Sequence, residues 1–188
     1  MIDNPIHILG IAGSLRRKSY NRALLCNAQH LLPQDTTLEI FDLDDIPFFN
    51  ADVEAIGTPA PVMAFREAIK RADALLIATP EYNYTIPGVL KNAIDWASRK
   101  GPDVRAPLDG KTVAMMGAGG MYGTLRAQLH LREILSHNQT YVMARPELMV
   151  ARAGQYFDED GRLTDEAMRL RLDRLLVSLR DWTRLVQN

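Results

Sequence analysis

The sequence predicts an α/β protein built on a doubly wound, five-stranded parallel sheet with helices on both faces. Five strand patterns alternate with helix patterns along the 188 residues, which is typical of strands joined by crossover helices. Two of these strand patterns, residues 74–78 and 112–116, are continuous apolar runs, as expected for central strands covered on both faces. No linker, repeat or low-complexity segment interrupts the alternation, so we expect one domain spanning residues 1–188.

The first half of the chain contributes three strands and two helices. Residues 6–9 are a short apolar run, and a helix pattern follows over residues 23–32. Residues 38–43 alternate between apolar and polar side chains, which predicts a half-buried strand. A second helix pattern over residues 62–70 leads into the apolar strand at residues 74–78.

The second half continues the alternation. Pro87, at a favoured first helical position, opens a helix that ends near Ser98. The strand at residues 112–116 is followed by a helix and by a short strand near residues 141–143. A last helix begins at residues 164–166. It has an apolar stripe at steps of three and four residues, formed by Met168, Leu172, Leu175, Leu179, Trp182 and Val186.

Composition and charge narrow the class of protein. Hydrophobic residues make up 47% of the chain and charged residues 24%, which is enough for a core and too apolar for disorder. The formal net charge of −1 gives no reason to expect a nucleic acid or an anionic membrane as partner. The chain has no run long enough for a membrane span and no signal-peptide pattern, so we expect a cytoplasmic protein. Its single cysteine, Cys26, falls among apolar helix residues, where we expect a buried thiol.

The segment from Gly10 to Asn21 has the character of a phosphate site. The first turn of a helix leaves unpaired N–H groups and a partial positive charge, and both stabilise an anion. Donors and cations are frequent here, namely Ser14, Arg16, Arg17, Lys18, Ser19 and Asn21. The segment lacks the third glycine of a dinucleotide fingerprint, and Gly110-Lys111-Thr112 lacks the leading glycine of a P-loop. A terminal monophosphate therefore fits better than a pyrophosphate; the alternative is an ordinary turn with a serine N-cap.

Two further loops follow predicted strands, residues 79–84 and 117–123. The carboxyl ends of neighbouring parallel strands meet at one edge of a sheet, where ligands bind. Pro80, Tyr82 and Tyr84 offer a flat wall, while the second loop is small and rich in glycine, so that its backbone can approach a planar ligand. Two walls beside a phosphate site predict a mononucleotide-like cofactor, and flavin mononucleotide (FMN) fits best.

Two motifs in these loops carry a resemblance to a known family. One is Gly13-Ser14-Leu15-Arg16, followed by Ser19 and Asn21, and the other is the run from Pro80 to Trp96, PEYNYTIPGVLKNAIDW. With them, nearly the whole chain resembles the NADPH-dependent FMN reductase family, and within it the bacterial quinone and chromate reductases. The resemblance implies a flavodoxin-like fold with strand order 2-1-3-4-5, bound FMN, NADPH or NADH as co-substrate, and homodimers that pair into homotetramers.

The resemblance also assigns residues to an FMN site. The phosphate is expected on Ser14, Arg16, Ser19 and Asn21, and Tyr20 is also expected to bind the cofactor. The isoalloxazine is expected between two walls, formed by Pro80, Glu81, Tyr82 and Asn83 and by Gly117, Ala118, Gly119 and Gly120. Relatives often carry a serine where Gly117 stands, so this chain lacks a hydroxyl there. Arg16 and Tyr84 are expected beside the substrate.

The resemblance places two subunit contacts on the chain. The helix from Pro87 to Ser98 would pack across a two-fold axis through Lys91, Asp95 and Trp96, with Phe48 of the other chain within reach. Arg126 and Glu147 would form the contact between two dimers.

The expected reaction depends on the cofactor. NADPH or NADH delivers a hydride to FMN, the oxidised nicotinamide leaves, and an acceptor takes its place in a ping-pong scheme. Quinones, free flavins, azo dyes, ferric chelates and chromate are the expected acceptors, and the basic residues at 16–18 would attract the phosphates of NADPH. No catalytic side chain and no metal are expected, since His130, Glu133 and His137 lack typical metal-site partners. One alternative from another class is a flavodoxin-type electron carrier that does not itself oxidise NAD(P)H. A second is a flavin-free binding or regulatory protein on the same fold.

Overall fold

A six-stranded parallel sheet forms the centre of the protein. The structure is a computed structural model and describes residues 5–100 and 104–187. Its strands are β1 (Ile6–Ala12), β2 (Thr36–Phe41), β3 (Ala74–Ala78), β4 (Thr112–Ala118), β5 (Tyr141–Val142) and β6 (Leu148–Val150). The order is β2-β1-β3-β4-β5, and β6 also pairs with β4. The predicted doubly wound sheet and its strand order are confirmed.

Helices cover both faces of this sheet. They are α1 (Tyr20–Gln29), α2 (Ala51–Ile56), α3 (Ala60–Arg71), α4 (Gly88–Ala97), α5 (Leu125–His137) and α6 (Glu166–Gln187). Successive side chains of a strand point to opposite faces, and β1 follows this rule. Ile6 and Ile8 pack with α1 and α6, whereas Leu9 and Ile11 pack with α3, α4 and α5.

The fifth position of the sheet differs from the prediction. A single strand near residues 141–143 was expected, but β5 pairs with the beginning of β4 and β6 with its end. β6 consists of three residues, which is too short for a recognisable sequence pattern. Its pairing with Met116, Gly117 and Ala118 carries the chain to the edge where the predicted loops meet.

The expectation of a buried Cys26 is wrong. Helix α1 turns Leu24, Leu25 and Ala28 towards the sheet, and these three residues are fully buried. Cys26 lies between them along the chain but on the other side of the helix, and it is exposed. An apolar neighbourhood in sequence therefore did not mean an apolar neighbourhood in space.

The loop before α2 is held by α4. Asn92 donates to the carbonyl oxygen of Pro47 and accepts from the N–H of Phe49, at 2.9 and 2.7 Å. Trp96 donates its indole N–H to the same Pro47 oxygen at 2.8 Å, and its ring meets that of Phe49 edge-on at 4.9 Å. Phe48 is 86% exposed.

These contacts correct the predicted interface in one respect. Trp96 is fully buried within the single chain, so its ring cannot be offered to a partner. Lys91 and Asp95 form an exposed ion pair with each other at 2.6 Å, and they, with Phe48, stay available as predicted contact residues. In the part of the chain that the structure describes, no helix is long and apolar enough to cross a bilayer.

Candidate functional site

A cavity of about 600 Å³ lies at the carboxyl ends of β1, β3 and β4. It is lined by parts of all three predicted loops and by a fourth segment that the sequence analysis did not identify. The lining residues are Ser14, Arg16, Ser19, Tyr20, Asn21, Pro80, Glu81, Tyr82, Ala118, Gly119, Gly120, Arg152, Ala153, Gly154 and Gln155. Of the predicted cofactor residues, only Asn83 and Gly117 are missing from this lining. The predicted meeting of the three loops is thus what the structure shows.

One end of the cavity is the N-terminus of α1. Ser19 caps this helix, and its hydroxyl oxygen accepts a hydrogen bond from the N–H of Arg22 at 3.3 Å. The N–H groups of Tyr20 and Asn21 have no acceptor among residues 5–100 and 104–187, as expected for a first helical turn. The guanidinium of Arg16 lies 5.3 Å from the centre of the Tyr20 ring. Free N–H groups, a hydroxyl proton and a cation make this end suited to a phosphate.

The side chain of Asn21 has a different role from the one predicted. Its amide group donates to the carbonyl oxygen of Ala118 and accepts from the N–H of Ala118, both at 2.9 Å. Asn21 is buried, and these two bonds tie the beginning of α1 to the end of β4. The side-chain amide therefore holds two loops together, while the backbone N–H of Asn21 remains for an anion.

The second loop is a tight hairpin. Tyr82 and Thr85 exchange backbone hydrogen bonds of 3.0 and 3.1 Å, and the two residues between them, Asn83 and Tyr84, have φ angles of 50° and 65°. Two consecutive residues with positive φ are typical of a type I′ turn, in which asparagine is favoured. This turn carries Asn83 out of the cavity lining, where the prediction had put it against the ring. The hydroxyl of Tyr82 reaches back to within 3.3 Å of that of Ser14.

Glu81 connects the second loop to the third. It lines the cavity, but its carboxylate accepts hydrogen bonds from the N–H groups of Arg126 and Ala127 in the first turn of α5. The guanidinium of Arg126 lies 4.1 Å from the centre of the Tyr84 ring and 4.5 Å from that of Tyr122. Tyr84 thus contacts Arg126 and does not line the cavity. The two walls of the site are joined by these contacts.

Gly117 is enclosed by other residues. A Cβ atom there would clash with the hydroxyl of Thr124 and would lie 2.5 Å from the carbonyl oxygen of Thr79. The Thr124 hydroxyl accepts from the side-chain amide of Gln128 at 3.1 Å. Relatives often have a serine hydroxyl at the position of Gly117. In this chain the hydroxyl of Thr124 occupies that space, and Thr124 is buried and outside the cavity lining.

The fourth segment, residues 152–155, follows β6. The N–H of Arg152 donates to the carbonyl oxygen of Gly120 at 2.7 Å, and that of Ala153 to Gly119 at 3.0 Å. The segment therefore closes the cavity along the third loop. An apolar triplet at residues 148–150 followed by Gly154 was the available sequence signal, but it is too short to stand out.

The histidines considered in the sequence analysis are not part of a cluster of possible metal ligands among the described residues. Within residues 5–100 and 104–187, no group of three or more His, Cys, Asp or Glu side chains is placed to hold a metal ion. His130, one of the residues considered above, has its Nδ1 atom 2.9 Å from the hydroxyl of Thr85.

Known proteins resemble this chain over most of its length. A family model described as NADPH-dependent FMN reductase matches residues 6–155. An NAD(P)H-dependent FMN reductase of Pseudomonas aeruginosa is 47% identical over 184 residues, covering 97% of this chain and 98% of the relative. An NAD(P)H:quinone oxidoreductase of Solanum tuberosum is 45% identical over 180 residues, covering 93% of this chain and 91% of the relative.

Solved structures show the same fold. The flavoenzyme NAD(P)H:(acceptor) oxidoreductase FerB from Paracoccus denitrificans superposes with a TM-score of 0.86 at 32% identity, covering 95% of this chain and 97% of that one. An archaeal flavodoxin superposes with a TM-score of 0.58 at 10% identity, over 95% and 99% of the two chains. The second likeness concerns the fold alone. A flavodoxin-like sheet, a cavity with one end suited to a phosphate, and relatives along almost the full length lead to one conclusion: the chain belongs to the NADPH-dependent FMN reductase family, whose members are oxidoreductases.

Proposed function

We propose that this protein oxidises NADPH or NADH at an FMN held in the 600 Å³ cavity and passes the electrons to small acceptors, among which quinones are the first candidates. The observation that carries the proposal is the pair of unbonded N–H groups of Tyr20 and Asn21 at one end of a cavity that is also lined by Pro80, Tyr82 and two glycines. The relatives from Pseudomonas aeruginosa and Solanum tuberosum, named as FMN reductase and quinone oxidoreductase, support it.

Different residues of the cavity would bind the phosphate and the ring of FMN. The hydroxyl groups of Ser14 and Ser19 donate to the phosphate, together with the two N–H groups, and Arg16 supplies charge. Pro80 and Tyr82 on one side and Gly119 and Gly120 on the other form the walls for the ring. Glu81 acts indirectly, because its carboxylate fixes the position of α5 and so of the glycine wall.

When bound, FMN would supply the redox chemistry, namely hydride acceptance from a nicotinamide and electron transfer to an acceptor. The chain needs to hold both partners in turn and to stabilise negative charge on the ring. The N–H of Gly120 has no acceptor within the described residues, and it is our candidate donor for that charge. Neither a histidine nor the cysteine lines the cavity, so no side-chain proton transfer is assigned to them.

Steady-state kinetics test the proposal. With NADPH and benzoquinone varied together, we expect parallel lines in double-reciprocal plots, because donor and acceptor would use the same open side of the cavity. Alanine variants of His7, His30, His130 and His137 should retain turnover within about twofold, since none of them supplies a proton in this scheme. The same series with ferric chelates, azo dyes, free FMN and chromate would rank the acceptors.

Two results would contradict this scheme. Intersecting lines combined with loss of turnover in a histidine variant would show that a side chain takes part in the chemistry. A protein that binds FMN but transfers no electrons from NADPH or NADH to any acceptor would be an electron carrier of the flavodoxin type.

We also propose that the protein is a dimer that pairs into tetramers. An exposed apolar group surrounds Arg126, formed by Tyr84, Tyr122, Leu125 and Leu129, and such surfaces commonly mark subunit contacts. Glu147 already pairs with Arg145 and Arg132 inside its own chain, so an intermolecular pair with Arg126 would extend an existing network.

The assembly is tested by analytical ultracentrifugation at micromolar concentration. Arg126→Ala and Glu147→Gln should each convert tetramers into dimers, whereas Arg169→Ala, a charge removal on the exposed face of α6, should not. Glu147→Gln is the cleaner variant, because Arg126 also pairs with Glu81 beside the cavity. A fully active monomer would refute both levels of assembly.

A further inference from the structure

A second cavity of about 470 Å³ adjoins the first. Its lining comprises Arg16, Arg17, Lys18, Ser19, Tyr20, Arg22, Ala23, Cys26, Phe157, Asp158, Glu159, Asp160 and Gly161. The two cavities have Arg16, Ser19 and Tyr20 in common. A ligand in the second cavity would therefore lie beside the phosphate end of the first.

One side of this second cavity carries uncompensated positive charge. Arg17 and Lys18 are exposed, and neither has a hydrogen-bond or ion-pair partner in the described parts of the chain. Arg22, by contrast, is paired with Asp42, the residue that follows β2. Because Arg17 and Lys18 form no ion pair with the described residues, they are suited to bind an anionic ligand.

The opposite side carries carboxylates with spare acceptor capacity. Asp158 Oδ1 accepts from the N–H groups of Asp160 and Arg162, at 3.0 and 2.7 Å, which fixes the turn. Glu159 is exposed and has no partner among the described residues, and Asp160 has only Arg162 at 4.0 Å. Such carboxylates accept hydrogen bonds from amino groups.

The two sides are held at a fixed separation. Asn27 of α1 donates to the carbonyl oxygen of Gly161 and accepts from the N–H of Leu163, both at 2.9 Å. The rings of Tyr20 and Phe157 stack with their centres 5.1 Å apart. The acidic turn is therefore fastened to the helix that follows the basic loop, and the cavity is part of the folded chain.

We propose that the second cavity binds the adenosine 2′-phosphate end of NADPH while its nicotinamide lies in the first cavity. The 2′-phosphate would pair with Arg17 and Lys18, and the amino group of adenine would donate to Glu159 or Asp160. NADH has the same adenine but lacks this phosphate, so the cavity distinguishes the two donors. This inference rests on the proposed function, and it adds the residues that select the co-substrate.

Direct binding of nucleotides tests whether the second cavity recognises a 2′-phosphate, and it does not require catalytic turnover. Adenosine 2′,5′-bisphosphate is titrated calorimetrically into the FMN-loaded protein, and AMP serves as the analogue without a 2′-phosphate. We expect the bisphosphate to bind about tenfold more tightly than AMP at low salt, and the difference to shrink as ionic strength rises. In Arg17→Ala/Lys18→Ala the difference should disappear, whereas the matched double variant Lys100→Ala/Arg169→Ala should keep it.

Kinetics give the second readout, the ratio of kcat/KM for NADPH to kcat/KM for NADH. Arg17→Ala/Lys18→Ala should lower this ratio about tenfold, chiefly through KM for NADPH. A change in FMN occupancy would lower both values together and leave the ratio unchanged. An unchanged ratio with weaker FMN binding would overturn the inference and assign both cations to FMN.

The outcomes separate this inference from the proposed function. If the protein oxidises NADPH and NADH but binds the bisphosphate no better than AMP, the function stands and the second cavity is not its co-substrate site. If the bisphosphate binds with the expected dependence on Arg17 and Lys18 but neither donor is oxidised, the nucleotide site stands and the proposed function fails.

Discussion

Replacement of Ser19 by aspartate is expected to remove tight FMN binding while α1 stays capped. Aspartate is as good an N-cap as serine, so the bond to the N–H of Arg22 can be kept. Its carboxylate, however, would lie where the phosphate is expected. The loss of one hydrogen bond to a charged group costs about 1.5–3 kcal/mol, and repulsion adds to it. We expect the dissociation constant for FMN to rise about 100-fold or more, measured by flavin fluorescence on apoprotein.

Three further variants make this result interpretable. Ser19→Ala and Arg16→Ala each remove one contact, and should weaken FMN binding by roughly 10- to 100-fold. Asn50→Asp places a carboxylate at the N-cap of α2, where the side chain of Asn50 accepts a hydrogen bond from the N–H of Asp52. This variant should leave FMN affinity unaltered. The melting temperature of each apoprotein shows whether the substitution at the cap has destabilised the fold. Unchanged FMN affinity in both Ser19→Asp and Arg16→Ala would show that this loop does not bind the phosphate.

Substitution of Gly117 is expected to have the largest effect on stability. In Gly117→Ser the new side chain would meet the hydroxyl of Thr124 and the carbonyl oxygen of Thr79, 2.5 Å from its Cβ atom. The second clash is with backbone and cannot be relieved by a rotamer change. We expect a loss of about 3 kcal/mol or more in the free energy of unfolding, measured by urea denaturation, together with weaker FMN binding because β4 ends at the cavity.

Gly120 offers the matched control three residues further on. A Cβ atom at Gly120 would meet nothing within 4 Å, so Gly120→Ala should unfold at the same urea concentration as the unaltered protein. Equal stability of Gly117→Ser and Gly120→Ala would show that β4 and α5 can move apart. In that case the serine found in relatives could be accommodated here.

The fold was predictable because its strongest signals are local. β3 covers the same five residues as the apolar run that predicted it, since a strand buried on both faces needs apolar residues throughout. The fifth sheet position was harder, because β5 and β6 are two and three residues long and gain their stability from β4. The first helix was placed three residues late. Tyr20 and Asn21 were interpreted as ligand residues, although they are the first two residues of the helix that Ser19 caps.

The site was predictable as a meeting of loops but not in the direction of each side chain. Sequence motifs identified the three loops that meet at the cavity. They did not show that the amide of Asn21 bonds to Ala118, that the carboxylate of Glu81 caps α5, or that Asn83 supplies the positive φ of a turn. Each of these roles depends on a partner distant in sequence or on backbone dihedral angles, and both follow from the tertiary structure.

Three asparagine amides each tie a helix to a distant segment, and the ties made by Asn21 and Asn27 lie beside the two cavities. The side-chain amides of Asn21, Asn27 and Asn92 each donate to a backbone carbonyl and accept from a backbone N–H in a segment distant along the chain. These segments are the end of β4, the turn at residues 161–163 and the loop before α2. Amide groups do not titrate, so these ties keep their strength from acidic to alkaline solution. Because the segments beside both cavities are fixed before a ligand arrives, little conformational entropy is left to lose on binding, and more of the contact energy contributes to affinity.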